Sequence, residues 1–491
     1  MKNGTYFDHA GGRRPNHRRW LPVIGYQPNR ELTDANARRE HGLELRSPAR
    51  SFHDLEARRD SSGREWIDFE AVVGTDQDQI AVAPGTLRRT WTEDGRRYFH
   101  YATDPPIKNS YAIFSADYAV HEASWNDVRI QVYYHRNHVF NLDRMVRSAK
   151  ASLDYCTQNF GPYPHRQVRI VEFPRYANFA SAYPTTIAFS EGFGFLARVD
   201  DEQGHVDTPF AVTAHELAHQ WWGHQVVPAD VQGAAMLTEI LAQYCAMMVM
   251  EKTYGRTQVQ RFLGTMRTEY LNRRNKHEVP LLVMSDQLYL AYQKGAIAMY
   301  ALREYIGEEQ VNAALRRFLE EHRFGGPPYP TSLDLYRELQ ASTPDSLQYL
   351  LRDLFEAITL WDLRATGARA EPTGTGEWRV TLELVASKVE VVSVGQQADV
   401  PMDDLVEIGI FAPSDQKDGL GDPLHLEKHR IRSGKQSITV TVSRKPARAG
   451  IDPNHLLLDR QSEDNTVEVK ATKTASSAVG SSSESGKPAA T

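Results

Sequence analysis

Cysteine is nearly absent from this 491-residue sequence, which has only Cys156 and Cys245. Two thiols cannot build a disulfide framework, so a packed core must hold the fold. Each lies among apolar neighbours in a helix-like pattern, the setting of a small core residue. Long apolar runs are missing too. The longest, Ile240 to Met250, is interrupted by Gln243 and falls far short of the roughly 20 residues that cross a bilayer. No transmembrane span is expected in this chain. Nor does one sign of charge dominate: 57 basic and 63 acidic residues give a net charge of -6, which excludes a nucleic-acid footprint. The early basic cluster of Arg13, Arg14, His17, Arg18 and Arg19 is short and reads as solvated surface. The N-terminus lacks an apolar h-region, so no secretory signal is expected there. A cytoplasmic protein and a module exported by other means both stay open.

What is present is an ordinary globular composition, 41% hydrophobic and 24% charged, enough to bury a core over most of the length. The length implies about three domains. Residues 1–60 show little periodicity and predict an irregular segment of loops and short helices. From 61 to 137 apolar and polar residues alternate about turns such as Glu93-Asp94-Gly95 and Trp125-Asn126-Asp127, which predicts an antiparallel β region. The period changes at 141–161, where Leu142, Met145, Val146, Ala149 and Leu153 share one helical face behind Asn141 as N-cap. Short strands are expected at 168–173 and 186–189, and helices at 208–223, 233–254, 258–273, 287–306 and 308–322. Beyond about 365 the alternation returns and predicts a small antiparallel β-sandwich over 363–469. The final stretch, 470–491, is low-complexity and reads as disordered. The fold class is multidomain α+β.

One constellation carries chemistry. HELAH places His215 and His219 at i and i+4, on one face of a helix, where both imidazoles can ligate one metal. Glu216 sits beside them, able to take a proton from a metal-bound water without being a ligand. A bare HExxH is weak evidence, since an amphipathic helix with two satisfied histidines has the same pattern. The flanks FAVTA and QWW read as buried, however, and the next helix carries a lone acid, Glu239, among Ala, Leu, Ile, Met and Tyr. A buried carboxylate needs compensation, by a metal or by hydrogen bonds. Two His and one Glu with an open fourth position are the ligand set of catalytic zinc.

HELAHQWWG followed by LTE resembles the aminopeptidase N family of zinc metallopeptidases, the gluzincins. AYQKGAIAMYAL at 291–302 resembles a second segment of that family, with a Tyr shortly before Lys-Gly-Ala. The resemblance covers roughly 65–360. It implies a thermolysin-like, mainly helical catalytic domain at 138–362 and one catalytic zinc on His215, His219 and Glu239. It also implies Glu216 as general base and Tyr292 as donor to the tetrahedral oxyanion. The loop from Gln220 to Thr238 is one residue longer than the family's usual spacing, which a loop absorbs. A larger departure lies upstream, where the family's Gly-Ala-Met-Glu-Asn holds a peptide's α-amine. Here FASAYPTTIAFSE puts Ala182 in place of that Glu, leaving Glu191 and Glu172 as candidate substitutes. His224 replaces the family's usual Asn and reads as a supporting or surface residue, not a fourth ligand.

FPRYANFASAYPTTIAFSE, HQWWGHQVVPADVQGA and LAQYCAMMVMEK are most similar to a bacterial subgroup whose peptidase module follows a transporter-permease-like membrane region. That implies association with such a region and a membrane-associated or periplasmic location; without it, a cytoplasmic one. The expected activity is zinc-dependent peptidolysis of short peptides, with an aminopeptidase favoured. A weakly active or inactive peptide-binding module of a transporter and a zinc endopeptidase are the alternatives.

Overall fold

The computed structural model describes residues 5–10, 32, 35–44, 49–200, 205–274, 277–285, 287–414 and 419–471. The basic cluster at 13–19 and the low-complexity tail beyond Ala471 lie outside them. The chain divides into two units, residues 1–358 with 393–395 and residues 359–392 with 396–491.

In the first unit, Thr86–Glu93 and Arg96–Ala102 form a hairpin, with Glu70–Asp76 on the far side of Arg96–Ala102. The hairpin turns at Asp94 and Gly95, with φ of 48° and 72°. Two positive angles in a two-residue loop match the twist of the strands they join. A second antiparallel sheet sets Ser110–Ala116 between Ile80–Val82 and Thr5–Ala10. The segment expected to be irregular therefore contributes a strand, too short for its period to stand out.

Residues 119–134 depart from a purely antiparallel arrangement. Ala119–Trp125 and Val128–Tyr134 pair antiparallel, but Val128–Tyr134 runs parallel to Gln167–Phe173, which runs parallel to Thr186–Ser190. The short strand Ala180–Tyr183 closes this five-stranded sheet by pairing antiparallel with Thr186–Ser190. Gln167–Phe173 and Thr186–Ser190 are buried along their whole length. A strand covered on both faces shows no alternation to betray its partner. The connection from Val128–Tyr134 to Gln167–Phe173 runs through the helix Leu142–Phe160, a β-α-β crossover. Asn141 stands at that helix's N-cap position without capping it. Its amide donates instead to the carbonyls of Gly194 (2.7 Å) and Ala197 (2.9 Å).

The rest of the unit is helical, with Thr208–Ala218, Glu239–Tyr254, Arg256–Arg273, Gly295–Ile306, Glu308–His322 and Ser332–Ser342 as its main helices. Cys156 and Cys245 are buried, unbonded thiols. Among the described residues no helix is long and apolar enough to cross a membrane.

The second unit is built of strands, in the order Gln396–Val400, Trp378–Ser393, Thr359–Pro372, Thr466–Ala471, Arg448–Ile451, Asp403–Phe411 and Pro423–Arg432, with Gly434–Val442 also on Trp378–Ser393. The last strand includes residues 470 and 471, expected to belong to the tail. Inside the unit, Lys388 Nζ lies 3.0 Å from Asp404 Oδ1, and the Trp361 indole donates to Asp404 Oδ2 at 3.0 Å. All three residues are buried, so each polar group is compensated by its neighbours.

Candidate active site

The HELAH helix begins at Thr208, where the Asp207 carboxylate accepts from the Phe210 amide at 3.0 Å. Arg144 and the Tyr254 hydroxyl reach the same carboxylate, each at 2.6 Å. One acid thus ties together the helix Leu142–Phe160, the HELAH helix and the helix Glu239–Tyr254. The HELAH helix ends at Ala218, five residues before Gly223, the end implied by the sequence run. Trp221 and Trp222 are fully buried, and the amides of Gln225 and Val226 turn back onto the Trp221 carbonyl, so side-chain burial bends the backbone where period alone would extend it. His219 keeps helical angles (φ −59°, ψ −18°), which leaves both histidines on one face.

Glu239 is the first residue of its helix, not an interior one. Ala234–Met236 form a separate tight turn, and Thr238 (φ −116°, ψ −77°) breaks the path between them. At a helix N-terminus a carboxylate is favoured by the helix dipole, and this side chain is 12% exposed. Burial alone therefore does not demand a metal here; the geometry around it does.

His215 Nε2 and His219 Nε2 lie 3.2 Å apart, and Glu239 Oε2 lies 3.3 Å from the first and 3.5 Å from the second. The outer ring nitrogens are already engaged, His215 Nδ1 with Gln243 Oε1 at 2.8 Å and His219 Nδ1 with the Trp222 carbonyl at 2.9 Å. Both partners accept, Gln243 through its side-chain oxygen, so each Nδ1 donates its proton and each Nε2 presents a lone pair to the other. Two lone pairs at that separation repel; burial disfavours a charged His219, but Glu239 outweighs it and holds this imidazole above the ordinary histidine range, and a metal cation between the rings would relieve the same repulsion. Imidazoles bonded to tetrahedral zinc at about 2.0–2.1 Å stand about 3.3 Å apart, close to what these rings already adopt. The donor set fits zinc.

Glu216 follows His215 directly and is buried, and among the described residues its Oε2 has no hydrogen-bond partner. A buried carboxylate oxygen left open is costly, and it keeps an acceptor ready. Tyr292 lies in a π-helical turn, Leu290–Lys294, that leads into the helix Gly295–Ile306. Its hydroxyl donates to Glu239 Oε2 at 2.6 Å, and its ring centroid is 5.6 Å from that of His215. The turn is anchored from below. Buried Lys294 donates to Glu278 Oε1 at 3.0 Å, which also accepts from the Tyr270 hydroxyl at 2.7 Å, while Arg274 holds the other oxygen. Burial pushes the Glu278 carboxyl up, but Lys294, Tyr270 and Arg274 outweigh it and hold the group below the usual carboxylate range.

Gly295 sets how closely this helix approaches that of Glu239. A Cβ there would stand 2.6 Å from Ile240 Cδ1, in a fully buried side chain. Gly295→Val should therefore destabilise the protein by about 1–3 kcal/mol in urea unfolding, the usual cost of overpacking, and shift Tyr292 from its place. Unchanged stability would mean that the two helices have room to spare.

The candidate substrate residues divide. Ala182 lies on the edge strand Ala180–Tyr183, paired with Ile187. The turn after this strand puts Thr185 at φ 66°, strained for a β-branched residue. Gln220 stabilises that turn, accepting from the Thr185 amide and donating to the Tyr183 carbonyl, both at 2.9 Å. The strand is thus clamped to the residue that follows His219. Burial, with Lys108 and His219 nearby, holds the His224 imidazole well below the ordinary histidine range. It is not among the three groups that converge.

Glu172 and Glu191 meet His138 instead, in a second group. Glu172 is fully buried, with Oε1 on His138 Nδ1 and Oε2 accepting from the His135 amide at 2.6 Å. Burial raises its pKa, against the pull of those two partners and with a further push from Glu191. Glu191 is only half-buried, accepts from the Arg175 amide at 2.9 Å, and opens the turn Glu191–Phe195, which packs on the HELAH helix.

Sequence reasoning passed over Gln243, Gln220 and Gly295. Gln243 did leave a signal: it is the polar interruption of the run Ile240 to Met250, one helical turn from Glu239. Gly295 lies in the Lys-Gly-Ala of the segment 291–302, but its close approach to Ile240, like the clamp of Gln220, is a contact across the fold that the sequence does not show.

His215, His219 and Glu239 thus converge as a ligand set that suits zinc, with Glu216 and Tyr292 on the adjoining turns. Residues 144–353 match the peptidase family M1 domain. Among curated relatives, the tricorn protease-interacting factor F2 of Thermoplasma volcanium is 21% identical over 53% of this chain and 35% of its own length. Aminopeptidase 2 of Candida albicans is 20% identical over 64% of this chain and 34% of its own, and aminopeptidase M1 of Arabidopsis thaliana 22% over 58% and 33%. A solved M1 zinc metallopeptidase from Deinococcus radiodurans, bound to Tyr-ser-ala substrate, overlaps 60% of this chain and 64% of that one at 17% identity and a TM-score of 0.47. The chain spans about a third of the length of the curated relatives it matches. The similarity to the M1 peptidase domain thus lies in the middle of the chain, at 144–353.

Proposed function

We propose that this chain is a zinc metallopeptidase that hydrolyses short peptides from a free N-terminus. One observation carries the reading: His215 Nε2, His219 Nε2 and Glu239 Oε2 converge within 3.5 Å of one another, and the buried carboxylate of Glu216 follows His215 directly on the same helix. The family match and the aminopeptidase names of two relatives support it. Zinc, when bound, polarises a carbonyl and brings the pKa of water toward 7. The chain's own residues do the rest. Gln243 and the Trp222 carbonyl fix both imidazole tautomers. Glu216 accepts the proton of the attacking water and hands it to the leaving amine, as a positioned general base and acid does. The Tyr292 hydroxyl, held at the ligand cluster by the Lys294–Glu278 anchor and the close approach at Gly295, donates to the oxygen that becomes negative.

Glu191 is our choice for the α-amine anchor that Ala182 cannot supply. Glu172 has both oxygens engaged, whereas Glu191 is less enclosed and belongs to a turn packed on the HELAH helix. An acid facing an ammonium makes charge-assisted hydrogen bonds. Glu191→Gln should lower kcat/KM on a peptide with a free N-terminus by roughly tenfold, the effect of about 1.4 kcal/mol, and leave the N-acetylated peptide unchanged. A strong preference for the free amine that survives Glu191→Gln would move the amine site elsewhere; equal rates on both peptides in the unaltered chain would favour endopeptidase action.

For the domains, we assign residues 61–137 to a β domain, 138–362 to a thermolysin-like catalytic domain that also takes strands 119–134 into its sheet, and 363–469 to a β-sandwich. We also read the chain as the peptidase portion of a permease-associated protein. This last reading rests on the similarity of FPRYANFASAYPTTIAFSE, HQWWGHQVVPADVQGA and LAQYCAMMVMEK to that subgroup.

A further inference from the structure

The second unit carries a cluster for which peptide hydrolysis has no use. Pro423–Arg432 is last in its strand order and pairs with Asp403–Phe411. Opposite the fully buried Val406, Ile408 and Ile410 on the partner strand stand His429, Glu427 and His425. Three successive positions on one face, where an apolar row would continue the core, are given to groups that can ligate a metal.

The two imidazoles also lean together. Residues four apart on an extended strand begin about 13 Å apart at Cα. Yet His425 Nε2 and His429 Nε2 lie 2.9 Å apart, and their ring centroids 5.2 Å. A carboxylate oxygen of Glu427, between them in sequence, falls within 4.8 Å of both ligand nitrogens. Burial keeps His425 below the ordinary histidine range, against the pull of Glu427 and with a push from His429.

We propose that His425, Glu427 and His429 form a second metal site, for a divalent transition ion that favours imidazole, with zinc as the reference ion. Two nitrogens and one carboxylate suit zinc, and opening the nitrogens to about 3.3 Å would give tetrahedral bond lengths. The site is half-buried at the sheet edge and offers three protein ligands, so its remaining positions go to water or to a donor from another molecule. A different role for the same residues is edge protection, since polar groups on the inner face of an end strand discourage pairing with another chain. That role needs no metal, and the two are separable.

The test is zinc titration of the demetallated full chain by calorimetry, with zinc content read by mass spectrometry. The unaltered chain should bind two equivalents. H425Q/H429Q should bind one and keep its peptidase rate. E427Q, which alters an exposed side chain and spares the fold, should weaken the second equivalent by about tenfold or more and leave the first unchanged. Equal zinc binding by the unaltered chain, H425Q/H429Q and E427Q would overturn the proposal and leave edge protection. If the His215 site were the one misread, the unaltered chain would bind one equivalent and H425Q/H429Q none, so the two failures are distinguishable. Should H425Q/H429Q fail to fold, E427Q decides alone.

Discussion

Glu216→Gln should leave a folded chain that still holds zinc at the His215 site and has lost activity by roughly 10²–10⁴-fold or more, the range for a positioned general base. The substitution keeps the shape of the side chain and removes its basicity. His215, His219 and Glu239 keep their contacts, because the Oε2 of Glu216 has no hydrogen-bond partner among the described residues to lose. Metal content should therefore be unchanged while kcat falls. Stability should hold or rise slightly, since an amide in a buried site costs less than an under-compensated carboxylate. Activity within a few-fold of the unaltered chain would remove Glu216 from proton transfer.

Tyr292→Phe should lower kcat by about 10²–10³-fold and change KM little, because an oxyanion donor acts mainly on the transition state. Its ring packs against His215 and its hydroxyl is held by Glu239. The Phe ring can occupy the same space, so the loss should fall on the hydroxyl alone. Losing the bond to Glu239 could also loosen the metal, so zinc retention must be measured beside kcat. A shifted KM at unchanged kcat would make Tyr292 a substrate-binding residue.

The proposed zinc ligands, which the structure brings together, were legible in the sequence because their information is local. HELAH fixes two of them by helical spacing, and Glu239 stands out as an acid in an apolar stretch. The reason first given for Glu239, an interior buried charge, does not hold, since it starts its helix and gains from that end. The sheet was only half legible. The alternation from 65 to 135 gave most of the strands, but Gln167–Phe173 and Thr186–Ser190 are buried on both faces and carry no sign of parallel pairing. The clamp of Gln220 on the strained Thr185 turn and the contact of Gly295 with Ile240 join segments 35 and 55 residues apart. No local pattern reports such contacts, yet they set where the edge strand and Tyr292 stand.

On the proposed function, zinc held by His215, His219 and Glu239 makes this chain a peptidase. The most direct measurement is the hydrolysis rate of a short peptide with a free N-terminus, followed as zinc is removed by a chelator and returned one equivalent at a time to the chain carrying H425Q/H429Q. We predict loss of the rate on removal, full recovery at a single equivalent, and no recovery when Glu239→Gln is added. A rate that persists in the zinc-free chain, or that returns equally with Glu239→Gln, would contradict the account.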